Sequence, residues 1–176
     1  MVTTAKITKL FIFSFFLTNL VEAKNIVDVI IAAGNFKRLV GLLREHGLVD
    51  VLRSQAAQTI FAPSDELFEN LHEDCLDPKD EKVTLLRHVL GGITVLAADV
   101  TSGPVETLGG EDITLFKTSN GGVEIKYKEN HINVVTADIM ASNGVIHVID
   151  KVILPSKFPI CTPIQFKRDN GPLFVV

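Results

Sequence analysis

The hydrophobic repeat of this chain changes along its length, from the spacing of a helix to the spacing of a strand. In residues 36–43 the apolar side chains fall at positions i, i+3, i+4 and i+7, which places them on one face of a helix. In residues 123–128 apolar and charged side chains alternate, as in a strand with one buried and one wet face. Because the helical pattern comes first and the strand pattern later, the sequence predicts an α+β fold in a single domain.

Capping signals predict the helices near the start of the chain. Asn25 is followed three residues later by an aspartate, which is typical of a capping box, and Gly34 is expected to end that helix. Asn35 is expected to cap a second helix that ends at Gly47. Residues 48–52 are expected to form a third, short helical piece.

A buried strand is expected next, because residues 59–62 are rich in β-forming side chains and end at a proline. Ser64 is expected to cap the helix that follows. The pair Asp77-Pro78 is expected to open a further helix, which runs to Gly91.

Turn signals divide the second half of the chain into strands. Asn-Gly, Glu-Asn and Ser-Asn-Gly turns separate apolar or alternating segments at residues 113–115, 123–127, 132–134 and 145–149. The last of these segments is almost continuously apolar, so we predict a central strand that is buried on both faces.

The N-terminus carries the pattern of a secretory signal peptide. Lys6 and Lys9 form a positive region, residues 10–17 form an apolar core, and Ala23 is a small residue suited to cleavage. The apolar core is too short to span a membrane. We therefore predict a signal peptide at residues 1–23, with an uncleaved anchor as the alternative.

Cleavage leaves a domain at residues 24–160 and a tail at residues 161–176, with no transmembrane segment. The expected location is secreted and extracellular, or periplasmic or at the cell surface if the source is bacterial. Cys75 and Cys161 are then candidates for a disulfide bond in an oxidising compartment, worth ~4–5 kcal/mol in the chain-entropy model. Two free thiols or an intermolecular bridge are the alternatives.

Charge and motif content argue against several classes of function. The formal net charge is −4 and no cluster of Lys and Arg is present, so nucleic acid is not an expected partner. Ser64, Asp65, His88 and His147 supply the residue types of a hydrolytic triad, but no Gly-x-Ser-x-Gly elbow surrounds the serine. No HExxH, P-loop or Gly-x-Gly-x-x-Gly motif occurs. We therefore predict no catalysis, no cofactor and no metal.

Three ordered blocks resemble the fasciclin domain family. Residues 59–68 (TIFAPSDELF) resemble its first signature block, and residues 138–155 (DIMASNGVIHVIDKVILP) resemble its second. Residues 85–90 (LLRHVL) stand between them, in the place of the family's Tyr-His segment. The opening at residues 25–28 (NIVD) also fits, so the resemblance covers about residues 25–155.

The resemblance implies a wedge-shaped β-sandwich with helices packed along one edge, and a secreted adhesion or matrix protein without a catalytic centre. Animal relatives such as periostin engage collagen-rich matrix and integrins. The expected partner is therefore an extracellular protein or matrix component, with an integrin as one such partner if the source is an animal. A lone domain that bridges matrix needs weak self-association or a second partner. The alternative is a small-molecule or lipid carrier that uses the seam between helices and sheet.

The resemblance also implies roles for individual residues. Asp138 and Ile139 match an Asp-Ile pair that binds integrin in the family, whereas a purely structural alternative has Asp138 capping a turn and Ile139 in the core. Periodicity places His88 on the polar side of its helix, but the resemblance implies that it is packed against the first block and hydrogen-bonded to Thr59 or Asp65. Arg87 replaces the family's tyrosine and so removes the aromatic ring to which adhesion is attributed.

Overall fold

The structure is a computed structural model that describes residues 23–54, 56–69 and 80–154. The predictions for the signal peptide, for Cys75 and Cys161 and for the C-terminal tail fall outside these residues. Within the described ranges, no helix is long and apolar enough to cross a membrane.

The first helix begins and ends where its capping residues predict. Helix α1 spans Ile26–Ala33, and the Asn25 side chain accepts a hydrogen bond from the Asp28 N–H at 3.1 Å. Gly34 ends the helix with a φ of 77°, in the left-handed region where a glycine is unstrained. Helices α2 (Lys37–Glu45) and α3 (Val49–Arg53) follow, so the order of the three helices is also as predicted.

The prediction that Asn35 caps α2 is wrong, because the capping group comes from a later part of the chain. The Asp65 carboxylate accepts hydrogen bonds from the N–H groups of Lys37 and Arg38 at 3.0 and 2.8 Å. The Asn35 carbonyl in turn accepts the Asp65 N–H at 3.0 Å. Asp65 is the first residue of helix α4 (Asp65–Glu69), and its negative charge suits the N-terminus of α2.

The predicted helix that runs to Gly91 is too long. Helix α5 spans Glu81–Arg87, and the chain then forms strand β2, Val89–Gly91. The three residues after His88 pair with strand β1 (Gln58–Pro63) in an antiparallel register. The helix therefore ends where the backbone forms sheet hydrogen bonds with β1. The apolar spacing continues through these residues, which is why the sequence predicted a longer helix.

Seven strands form one mixed sheet, which confirms the α+β prediction. The remaining strands are β3 (Gly103–Glu106), β4 (Asp112–Lys117), β5 (Val123–Tyr127), β6 (Asn130–Ala141) and β7 (Gly144–Ile149). Their order is β2-β1-β7-β6-β5-β4-β3, and only β1 and β7 run parallel. Strand β6 joins the two halves of the sheet, since its first residues pair with β5 and the others pair with β7.

The central strands separate two hydrophobic cores. Ile60 and Ala62 of β1 face a helix-side core with α1, α2 and α3, whereas Phe61 faces a sheet-side core with β4, β5 and β6. Strand β7 is buried as predicted, beside β1. Gly144 allows this close approach, because a Cβ there would lie 1.9 Å from the Gln58 carbonyl oxygen.

Candidate interaction site

Strand β6 contains an irregular, exposed stretch at Asp138. Its register with β7 shifts between Val134 and Thr136 and again between Thr136 and Ile139. Asp138 lies within the second shift and has a φ of 60°, a left-handed conformation that few residues other than Gly, Asn and Asp adopt. The bulge therefore turns an acidic side chain outward from the sheet.

The backbone and the carboxylate of Asp138 are held by separate groups. Its Oδ1 accepts a hydrogen bond from the Ala97 N–H at 2.9 Å, and its own N–H donates to Nδ1 of His147 at 3.2 Å. Among the described residues, the second carboxylate oxygen accepts no hydrogen bond. Asp138 thus presents one committed oxygen and one that is open to a partner.

His147 is buried on the sheet-side face of β7. Its Nε2 lies 2.8 Å from the Val95 carbonyl oxygen, and its ring stacks on Phe61 with the centroids 5.7 Å apart. Because Nδ1 accepts the Asp138 N–H, the ring proton must be on Nε2, which then donates to Val95. The geometry fixes a neutral tautomer with both nitrogens in use.

Residues 93–97, here called the strap, contact side chains of β1, β7 and β6. Residues 93–96 form no regular structure, and Ala97 begins a short 3-10 helix, Ala97–Asp99. Thr59 holds the first part of the strap: its hydroxyl donates to the Ile93 carbonyl at 3.0 Å and accepts the Val95 N–H at 2.9 Å. His147 and Asp138 hold the rest. Three side chains from β1, β7 and β6 therefore satisfy the backbone groups of the strap in sequence.

Ile139 differs from Asp138 in where it points. Its side chain is half-buried and packs against the helix-side core. The next residue, Met140, is 61% exposed, and Val135 is 60% exposed. The structure therefore separates the Asp-Ile pair into one outward and one inward residue, and it exposes two other apolar side chains on the same strand.

His88 is buried, with 3% of its surface exposed, rather than on the polar face that periodicity indicated. Its Nδ1 donates to the Thr84 carbonyl at 2.7 Å and its Nε2 accepts the Ile153 N–H at 2.9 Å. The predicted partners Thr59 and Asp65 are engaged elsewhere, with the strap and with α2. Burial lowers the pKa of His88 to about 4, and the neighbouring Arg87 charge contributes to the shift.

Sequence reasoning missed a charged cluster around Arg87. The guanidinium is buried and donates to Glu111 Oε2 from Nε at 2.9 Å and from Nη2 at 2.5 Å. Tyr127 donates its hydroxyl to the same oxygen at 2.6 Å, and Lys128 lies 3.5 Å from the other. The tyrosine hydrogen bond, aided by Arg87, lowers the pKa of Glu111 to about 2. Only the replacement of the family's tyrosine at position 87 signalled this cluster.

The four residues considered for a hydrolytic triad lie in separate networks. Asp65 binds the α2 backbone, His88 binds Thr84 and Ile153, and His147 binds the strap. Among the described residues, no hydrogen bond joins Ser64 to either histidine. The described residues also contain no group of three or more Asp, Glu, His or Cys side chains close enough together to hold a metal ion.

A small cavity lies in the described part of the seam between helices and sheet. Its volume is about 10 Å³, and its lining includes Leu39, Phe68, Leu85 and His88. A single water molecule needs roughly that much space, whereas ligand pockets reach on the order of 300–1,000 Å³. The described part of the seam therefore gives no support to the carrier alternative.

Comparisons with known proteins agree with this architecture. The Fasciclin domain family model matches residues 34–155. Protein sll1483 of Synechocystis is 44% identical over 143 residues, an alignment that covers 76% of this chain and 75% of that protein. Human periostin is 28% identical over 134 residues, which cover 71% of this chain but 15% of periostin.

A solved FAS1 domain pair from the insect cell adhesion molecule Fasciclin I has the same fold. It superimposes with a TM-score of 0.64 at 20% sequence identity, over 76% of this chain and 52% of that chain. This chain therefore spans about half the length of the solved pair. The match confirms the fold that the sequence resemblance implied.

Proposed function

Because this chain belongs to the fasciclin domain family, we propose that it is an extracellular interaction domain that binds a protein or matrix partner and catalyses no reaction. The family includes adhesion and matrix proteins, and the solved relative comes from a cell adhesion molecule. The predicted signal peptide supports an extracellular location. Matrix bridging by a lone domain then requires weak self-association or a second type of partner.

The observation that carries this proposal is the exposed Asp138 carboxylate at the β6 bulge. Holding a non-glycine residue at a φ of 60° costs free energy, and strain of this kind is concentrated at functional sites. Here the Ala97 and His147 contacts offset that cost and fix the direction of the side chain. The fold therefore tolerates a locally unfavourable backbone conformation that directs one acidic side chain toward solvent.

The site has the chemistry to bind a partner through a cation and an apolar contact. A free carboxylate oxygen is the ligand type that a partner-bound Ca²⁺ or Mg²⁺ takes to complete its coordination. Met140, two residues from Asp138, offers apolar surface that a partner would bury. Integrins are such partners if the source is an animal. Ile139 then supports the site from the core side.

Adhesion of integrin-bearing animal cells to immobilised protein tests this proposal. Wild-type protein is expected to support spreading, and Asp138→Asn is expected to raise the half-maximal coating density about tenfold, as loss of a strong contact would. Asn is chosen because it tolerates the left-handed backbone and keeps an oxygen for the Ala97 N–H. The variant thus removes the charge and leaves the strap bound.

Asp112→Asn is the matched control, because Asp112 is an exposed carboxylate on β4, away from the bulge. It removes the same charge and is expected to leave spreading unchanged. Equal spreading on all three proteins, or an equal loss in both variants, would refute the role of Asp138. Absence of spreading on wild type would refute binding to these cells.

A further inference from the structure

His147 contacts both Asp138 and the strap, and its imidazole can gain a charge by binding a proton. We propose that protonation of His147 releases the strap from Asp138 and draws the Asp138 carboxylate toward the imidazole, so that acid switches the contact surface off. The effect on partner binding rests on the proposed function of Asp138. The effect on the strap does not.

The switch follows from the use of both ring nitrogens. In the neutral ring, Nδ1 accepts the Asp138 N–H and Nε2 donates to the Val95 carbonyl. A proton taken from solvent onto Nδ1 sets an N–H against the Asp138 N–H, so that hydrogen bond is lost. The new N–H needs an acceptor inside a buried site.

The Asp138 carboxylate is that acceptor. It belongs to the residue whose N–H the ring contacts, and an ion pair with the imidazolium offsets the cost of burying the charge. In the neutral state Oδ1 accepts the Ala97 N–H at 2.9 Å, and we expect rotation of the whole carboxylate toward the ring to break that hydrogen bond. The Ala97 N–H then loses its acceptor, and the hydrogen bond from His147 Nε2 to the Val95 carbonyl is the one that still holds the second half of the strap.

The other groups around His147 leave Asp138 as its counter-ion. From β1 it is faced by the Phe61 ring, which has no charge. The strap carries no ionisable side chain, and Asp99 lies at the end of the short 3-10 helix that begins at Ala97. Lys117 of β4 reaches that turn and donates to the Ala98 carbonyl at 2.9 Å. Lys117 is a cation and so cannot neutralise the imidazolium.

Nuclear magnetic resonance on the full secreted protein tests the switch without a partner. The imidazole signals of His147 and the amide signal of Ala97 are followed from about pH 8 to about pH 4, a range that brackets histidine titration. We expect both signals to change with one shared midpoint, and the hydrogen-exchange protection of the Ala97 amide to fall at least tenfold across it. An Ala97 amide that stays constant while His147 titrates overturns the proposal.

Two variants sharpen this test. His147→Gln keeps a donor for Val95 but has no titrating nitrogen, so the Ala97 transition is expected to disappear. His131→Gln, at an exposed histidine of β6 that pairs with Glu124, is expected to leave it intact. If His147→Gln does not fold, the shared midpoint in wild type still decides the question. Cell spreading on Asp138→Asn tests the proposed function separately. Failure of the pH switch can therefore be distinguished from failure of the proposed function.

Discussion

Two histidines of this domain are buried to the same extent, yet they hold different kinds of structure. His88 and His147 are each 3% exposed, and each donates from one ring nitrogen and accepts a backbone N–H with the other. His88 joins α5 to residues 152–154 inside the molecule. His147 joins β7 to the strap at the surface. The same hydrogen-bond pattern therefore stabilises the whole fold in one region and a local segment in the other.

The largest expected effect is the loss of the His88 side chain. His88→Ala leaves the Ile153 N–H buried without an acceptor and opens a cavity, so we expect the free energy of unfolding to fall by about 3–4 kcal/mol. His147→Ala is expected to cost about 1–2 kcal/mol, because water can reach the released strap. Urea denaturation of both variants measures the difference. Equal losses would show that the two regions are energetically alike.

Acid is expected to act through His88 on global stability. Its folded pKa is about 4 against an unfolded value of 6.5, so the unfolded chain binds the proton first. Stability is therefore complete above pH 6.5 and falls as the pH drops toward 4, by up to about 3 kcal/mol. Unfolding free energies measured across this range test the sign.

The same pH series separates the contribution of His88 to stability from that of Glu111. The pKa of Glu111 is lowered from 4.5 to about 2, so its contribution is lost only below pH 4.5. In His88→Gln most of the slope between pH 6.5 and 4.5 is expected to disappear. An unchanged slope in His88→Gln would contradict the assignment.

A smaller effect is expected at the carboxylate that pairs with Arg87. Glu111→Gln removes the negative charge beside a buried guanidinium, and we expect a loss of about 1–2 kcal/mol, since the Glu111 side chain is 39% exposed and solvent screens the pair. Glu106→Gln, at an exposed position of β3, is the control and is expected to change nothing. If thermal unfolding gives both variants the same stability as wild type, the cluster around Arg87 does not stabilise the fold.

The smallest global effect is expected at the first part of the strap. Thr59→Val keeps the side-chain shape but loses the hydrogen bonds to Ile93 and Val95. We expect hydrogen-exchange protection of the Val95 amide to fall about fivefold or more, with less than about 1 kcal/mol lost from global stability. Thr114→Val on β4 is the control. Global and local losses of equal size would mean that the strap does not open independently.

Structural features that depend on a few neighbouring residues could be predicted from the sequence. The Asn25 cap, the Gly34 and Gly47 helix ends and the alternation in β5 depend on neighbours along the chain, and the structure has each of them. The central position of β7 was also predictable, since its continuous apolar run has no wet face. The Asp138 region was found only through a family resemblance, because a bulge has no periodic signature.

Contacts that join distant parts of the chain could not be predicted. Asp65 caps α2 from 27 and 28 residues away, so no local pattern signals it. Strand β2 is three residues long and continues a helical spacing. The partners of Arg87 and His88 come from Glu111 and Ile153, which are adjacent to them only once the sheet has formed.

The parallel pairing of β1 with β7 has a consequence for biosynthesis. These two strands are far apart in the sequence, because the other five strands and helices α4 and α5 lie between them. A nascent chain that has not yet emerged through Ile149 lacks the neighbour that covers β1 on one side, so its apolar centre stays open. We therefore expect the core to close only after β7 has emerged from the ribosome.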